Sequence, residues 1–165
     1  MLAPDNYFDS VHDVNYEALH SCGIRGIIFD IDNTLTAFDA KLPPDEVNEL
    51  IKRLQGMGFA ICLCTNNTNK RLNGFNEHLQ LPGIANAAKP LKRGILRAMK
   101  IMGTKKDSTV IIGDQLLSDV WAGKNARIMS IMVKPTTERD FFFVKFKRFI
   151  ERIMMKKFFE SYGKK

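Results

Sequence analysis

Four short stretches of this chain carry groups able to bind a cation, move a proton or attack an electrophile. They are Asp30-Ile31-Asp32-Asn33-Thr34, Thr65-Asn66-Asn67, Lys89-Pro90 and Gly113-Asp114-Gln115, with Asp119 five residues after Asp114. Two carboxylates one residue apart at the end of an apolar run repel each other and lose solvent, which is costly unless a cation or a reaction uses them. Magnesium prefers oxygen donors and takes one or two carboxylates beside phosphate and water, so Asp30, Asp32 and Asp114 suit Mg2+ better than zinc. Phosphoryl transfer needs an in-line nucleophile, a proton donor to the leaving group and positive charge on the equatorial oxygens. On that logic Asp30 attacks phosphorus and becomes an aspartyl-phosphate. Asp32 protonates the leaving oxygen and later activates the hydrolytic water. Thr65, with Asn33, Asn66 and nearby backbone amides, holds the phosphate, Lys89 neutralises its charge and Asp114 anchors the metal. Taken singly, the Asp-x-Asp pair also describes a turn, Thr65 a strand-end hydroxyl, and Lys89 a surface charge. Asn66 and Asn67 suit a turn as well as a phosphate. What joins these residues is a common placement, and that depends on the elements around them.

Short β-rich apolar runs at 26–29, 59–64, 84–87, 109–112 and 128–133 alternate with segments of helical period at 44–57, 70–80, 91–102 and 118–125. Strand and helix in alternation predict a doubly wound, Rossmann-like α/β domain with a parallel sheet covered on both faces. The helix near Pro44 has the expected boundaries, with Pro and the acids Asp45 and Glu46 at its start and Gly58 past its end. Ligands bind open α/β sheets at the carboxyl ends of the strands. All four chemical stretches follow predicted strands, so the fold delivers them to one edge.

In this order and spacing the stretches resemble the four signatures of the haloacid dehalogenase superfamily, over a span from Gly26 to about Val133. The resemblance implies that the backbone carbonyl of Asp32, rather than its carboxylate, ligates the metal. It also implies that Thr34 and Asp119 support the site, Asp119 by steering Lys89 or metal-bound water. Members with a cap domain usually insert it after the first or second motif. Here 30 residues separate Thr34 from Thr65 and 23 separate Thr65 from Lys89, enough for one helix and its strand each. An open site without a cap is therefore expected, suited to phosphates that project from a surface or polymer. In detail the chain is similar to the YqeG-like subfamily IIIA phosphatases, through Leu2-x-Pro4, 26–35, Thr65-Asn66-Asn67, Lys89-Pro90 and Gly113-Asp114-Gln115. That likeness implies hydrolysis of phosphatidylglycerophosphate to phosphatidylglycerol at the cytoplasmic membrane face.

At 165 residues, 45% hydrophobic and 26% charged, the chain suits one globular core and not a disordered segment. Residues 134–165 hold ten Lys and Arg against four Asp and Glu, so most of the net charge of +7 lies in the tail. Plotted as a helix, Phe142, Phe143, Phe146, Phe149, Ile150, Ile153 and Met154 fall on one face and Lys145, Arg148, Arg152 and Lys156 on the other. We therefore divide the chain into a phosphatase-like domain at 1–135 and a basic amphipathic helix at 136–165. That helix packs on the domain or on a second copy, or docks on anionic lipid. Its phenylalanines run in a stripe without polar interleaving, which argues against nucleic acid as a partner. A phosphatase of nucleic-acid ends or soluble metabolites, and a binding module that kept the fold, are the rival readings. No apolar run approaches the roughly 20 residues of a membrane span, and residues 1–10 do not read as a secretory signal, so a cytoplasmic, peripherally membrane-bound protein is expected. Cys22, Cys62 and Cys64 form no CxxC pair and read as reduced thiols. The first 23 residues are expected to pad the sheet edge through Tyr7, Phe8, Val11, Val14, Tyr16 and Leu19.

Overall fold

The structure, a computed structural model, describes residues 2–137 and Lys156. The basic amphipathic segment expected at 136–165 thus lies almost wholly outside the described residues. In chain order the elements are β1 (Asn6–Phe8), α1 (Tyr16–Ser21), β2 (Gly26–Phe29), α2 (Asp45–Gly56), β3 (Ala60–Cys64) and α3 (Asn69–Asn76). There follow β4 (Gly83–Ile84), α4 (Arg93–Met102), β5 (Thr109–Gly113), α5 (Trp121–Ala126) and β6 (Met129–Val133). All six strands are parallel, in the order β1-β6-β5-β2-β3-β4. The doubly wound α/β expectation is met.

Side-chain alternation along the strands explains the layers. Ile27, Phe29, Ile61, Leu63, Val110 and Ile112 face a cluster completed by Leu50 and Leu54 of α2, Leu72 and Phe75 of α3, and Tyr16 and Leu19 of α1. Their neighbours Ile28, Cys62, Cys64 and Ile111 face the opposite cluster, against Ile95, Ala98 and Met99 of α4 and Ala122 and Ala126 of α5. Both faces are covered, which is why the strands read as continuous apolar runs. Burying one such Leu or Phe contributes about 1.5–3 kcal/mol. Cys62 and Cys64 are free thiols in this core, and burial pushes them up to about 12 and about 11.

Three of the departures from the expected element boundaries have a local reason. The strand expected at 84–87 stops at Ile84, because Asn86 and Ala88 adopt left-handed φ of 47° and 55°. The helix expected at 70–80 ends at Asn76, whose amide bonds Leu81 N at 2.9 Å and Leu81 O at 2.7 Å and closes the turn into β4. The helix expected at 118–125 begins as a π-type turn, Leu116–Val120, in which Val120 N donates to Gln115 O five residues back at 3.3 Å.

The N-terminal segment does more than pad the edge. Its three-residue β1 adds a strand to β6, in the register Asn6↔Ile131, Tyr7↔Met132 and Phe8↔Val133. Asp5 anchors it, accepting from Ser130 N at 2.8 Å, Ser130 Oγ at 2.9 Å and Lys124 Nζ at 2.6 Å. Val11, Val14, Tyr16 and Leu19 are buried as expected, with Tyr16 donating to Val11 O.

The chain winds outward from β2 through β3 to β4, then returns to β5 on the other side of β2 and winds out through β6. The switch point therefore lies at the carboxyl ends of β2 and β5, where a crevice opens. No inserted domain covers it among the described residues: the segment between the first two motifs holds α2, and the next holds α3 and β4.

Candidate active site

Asp30 is the first residue past β2, its N–H still bonded to Ile112 O of β5 at 3.0 Å. The chain then doubles back through a tight turn, with Thr34 N and Leu35 N donating to Ile31 O and Asn33 N donating to Thr36 O at 2.7 Å. Asn33 takes a φ of 65°, a left-handed conformation that Asn tolerates better than most residues. The turn brings Thr34 Oγ1 to 3.3 Å from Asp114 Oδ1, at the end of β5, and to 3.5 Å from Asp30 Oδ2. Asp30, Asp114 and Asp119 offer buried carboxylate oxygens that lie within 4.8 Å of one another. Three carboxylates this close, all of them oxygen donors, fit a small hard divalent cation.

Lys89 enters the same cluster. Its ammonium donates to Asp30 Oδ1 at 2.6 Å, Asp119 Oδ1 at 2.6 Å and Cys64 O at 2.7 Å, engaging all three N–H groups with 1% of the side chain exposed. Burial alone would favour its neutral form, but the carboxylates of Asp119 and Asp30 outweigh that and hold it charged beyond the ordinary lysine range. Burial lifts Asp30 to about 7, with the Lys89 ammonium pulling it down and Asp119 pushing it up.

The neighbouring residues hold this arrangement in place. Asp119 is carried inward by the π-type turn, and its other oxygen accepts from Gln115 N at 3.1 Å. Gly113 is required beneath it, since a Cβ there would stand 2.2 Å from Asp119 Cγ. Asn66, expected on the phosphate, commits its side-chain amide to the Lys89 backbone, with Nδ2 donating to Lys89 O at 2.9 Å and Oδ1 accepting from Lys89 N at 2.7 Å. Thr65 is buried after β3, its hydroxyl accepting from Asn67 N at 3.0 Å, with the O–H left to donate into the cavity it lines.

Asp32 is placed apart from the three clustered carboxylates. Its oxygens are taken by Arg71 Nε at 2.9 Å and Asn67 Nδ2 at 3.0 Å. The residue nevertheless lines the cavity described below. Arg71, in the first turn of α3, is a residue at the site that the sequence reading did not name. Its one signal was position, six residues after Thr65 and on the helix leaving the same strand. Asp30, Asp32, Asn33, Thr65, Asn66, Asn67, Lys89 and Asp119 line one open cavity of about 660 Å³, joined by Phe38, Asp39, Gln115 and Ser118. Asp114 and Thr34 sit behind that lining.

Comparison with known proteins shows the family. The haloacid dehalogenase-like hydrolase family model matches residues 36–127. The chain is 34% identical over 149 residues to the "Probable phosphatase YqeG" of Bacillus subtilis (strain 168), covering 90% of this chain and 87% of that one. It is 25% identical over 146 residues to the chloroplastic phosphatidylglycerophosphate phosphatase 1 of Chlamydomonas reinhardtii, covering 83% of this chain and 52% of that one. The chain thus spans about half the length of the algal protein. Among solved structures it is similar to the cobalt-bound deoxy-D-mannose-octulosonate 8-phosphate phosphatase of Haemophilus influenzae, with a TM-score of 0.54 and 17% identity over 68% of this chain and 80% of that one.

Proposed function

This chain belongs to the haloacid dehalogenase-like hydrolases, and on that premise we propose that it is a magnesium-dependent phosphatase whose substrate is phosphatidylglycerophosphate. The observation that carries the phosphatase reading is the buried cluster in which one ammonium, Lys89, bridges Asp30 and Asp119 beside Asp114. The lipid substrate rests on the likeness to the algal phosphatase, the uncapped cavity and the basic tail.

In the first half-reaction a carboxylate oxygen of Asp30 bonds to phosphorus as the ester oxygen departs with the proton that Asp32 supplies. In the second, Asp32 takes a proton from water, and the water oxygen displaces Asp30 to release inorganic phosphate. Lys89 and the Thr65 hydroxyl, with the backbone amides at 66 and 67, balance and orient the phosphoryl oxygens. A divalent cation held by Asp30, Asp114 and the Asp32 carbonyl supplies further positive charge to those oxygens when bound. Asn66 holds Lys89 by its backbone, and Thr34 and Asp119 keep the carboxylates in register. The segment 136–165 brings the open site to an anionic bilayer.

Phosphate release is measured on phosphatidylglycerophosphate vesicles and on glycerol 3-phosphate, with magnesium or with chelator. The intact chain is expected to turn over both only with magnesium, and Asp30→Asn to lose at least about a thousandfold in kcat. A chain ending at Pro135 keeps the soluble activity and loses the vesicle activity. Hydrolysis that survives Asp30→Asn overturns the mechanism, and vesicles ignored by an otherwise active enzyme overturn the lipid assignment.

A further inference from the structure

A second cavity lies next to the first, linked to it by the contact between Arg71 and Asp32. If Asp32 gives its proton to the departing oxygen, it marks the side on which the rest of the substrate leaves the cavity. Arg71 stands on that side, with Nε on Asp32, Nη1 at 3.4 Å from Lys41 O and its guanidinium 5.7 Å from the Phe75 ring centroid. The same arginine forms the wall of this second cavity of about 630 Å³, lined also by Lys41, Leu42, Lys70, Gly74 and Glu77. Three cations face one carboxylate there. Leu42 is 49% exposed on its rim, and Gly74 leaves the helix face bare, with nothing within 4 Å of where a Cβ would stand. Exposed lysines alone describe any solvated face. An exposed leucine among three cations, bridged by Arg71 to the proton donor, describes a surface for something both anionic and apolar.

We propose that this shelf binds the leaving-group side of the substrate and selects an anionic amphiphile, a phosphodiester headgroup joined to acyl chains, with the diester at Lys41 and Lys70 and the apolar part on Leu42. This deepens, and rests on, the phosphatase reading. It places the choice of a lipid ester on the cavity wall as well as on the basic tail. A nucleic-acid end offers the same diester without the apolar part, so Leu42 separates the two.

The test is steady-state hydrolysis with magnesium by the full chain, using monomeric dihexanoyl phosphatidylglycerophosphate, glycerol 3-phosphate and a terminally phosphorylated dinucleotide. Lys70 and Leu42 are exposed, and melting curves check that Lys70→Glu and Leu42→Ser are folded. Lys70→Glu is expected to raise KM for the lipid ester about tenfold. Leu42→Ser raises it about fivefold. Both leave kcat/KM on glycerol 3-phosphate within about twofold, and Leu42→Ser does not alter dinucleotide turnover. Equal effects on all three esters, or none on any, overturn the shelf. A dinucleotide preferred over the lipid ester by the unsubstituted chain overturns the amphiphile. A chain inactive on every ester overturns the phosphatase reading and the shelf with it, whereas normal hydrolysis indifferent to the substitutions overturns the shelf alone.

Discussion

On the proposed mechanism, Arg71 and Gly113 support the reaction without touching its reacting atoms. Arg71 and Asn67 between them hold both oxygens of Asp32, and the buried Arg71 Nη2 carries no hydrogen-bond partner. Arg71→Met is expected to slow glycerol 3-phosphate hydrolysis about tenfold or more, because that poor leaving group needs Asp32 in position. The same change slows p-nitrophenyl phosphate, a good leaving group, by less than about threefold. Parallel kcat measurements decide, and equal losses would assign Arg71 to folding alone. At Gly113 the conflict is steric: in Gly113→Ala the new methyl displaces the Asp119 carboxylate from Lys89. Denaturant unfolding should show a loss of about 1–3 kcal/mol, accompanied by a fall in kcat.

Among the elements, β1 shows the clearest gap between propensity and outcome. Three residues with the burial pattern exposed, intermediate, intermediate are too short to signal a strand, and their pairing is secured from outside by Asp5. Burial works against the Asp5 carboxylate, but Lys124 and the two Ser130 donors outweigh it and set its pKa below the ordinary 3.8. A carboxylate depressed in the folded state adds stability above the unfolded pKa, and that stability is lost as pH falls through the lower folded value. Asp5→Asn should therefore destabilise the chain by about 1 kcal/mol at pH 7. That difference should shrink as pH falls below the ordinary 3.8 and through the lower folded value, so it is compared at pH 7 and at an acid pH under 3.8. Urea unfolding at the two pH values checks both. Amide exchange at Lys134, bonded to Phe8 O, should quicken in the variant at neutral pH.

For the molecule as a whole, a metal bound at the clustered carboxylates, as proposed above, would couple its binding to folding. A cation that binds only the folded chain stabilises it by about 2.7 kcal/mol at a hundred times its Kd. For a chain of this size that raises Tm by roughly 5–10 °C. Thermal melts with magnesium against chelator should show this shift, and Asp114→Asn should abolish it. Much of this molecule was legible in the sequence because its signals are local. Apolar runs alternating with helical periods specify a parallel α/β sheet, strand ends specify where Asp30, Thr65 and Asp114 emerge, and the gaps between them leave no room for a cap. What a residue bonds is another matter, since it depends on which strands become neighbours. Only the order β1-β6-β5-β2-β3-β4 puts β5 beside β2 and so brings Asp114 and Asp119 to Asp30. Only the fold of α3 against the turn at 31–36 pairs Asp32 with Arg71. Likewise, only the clasp on Lys89 directs the Asn66 amide to backbone. Periodicity and spacing act along the chain, whereas hydrogen bonds between residues 23 to 80 positions apart form only once the core has packed and closed the distance.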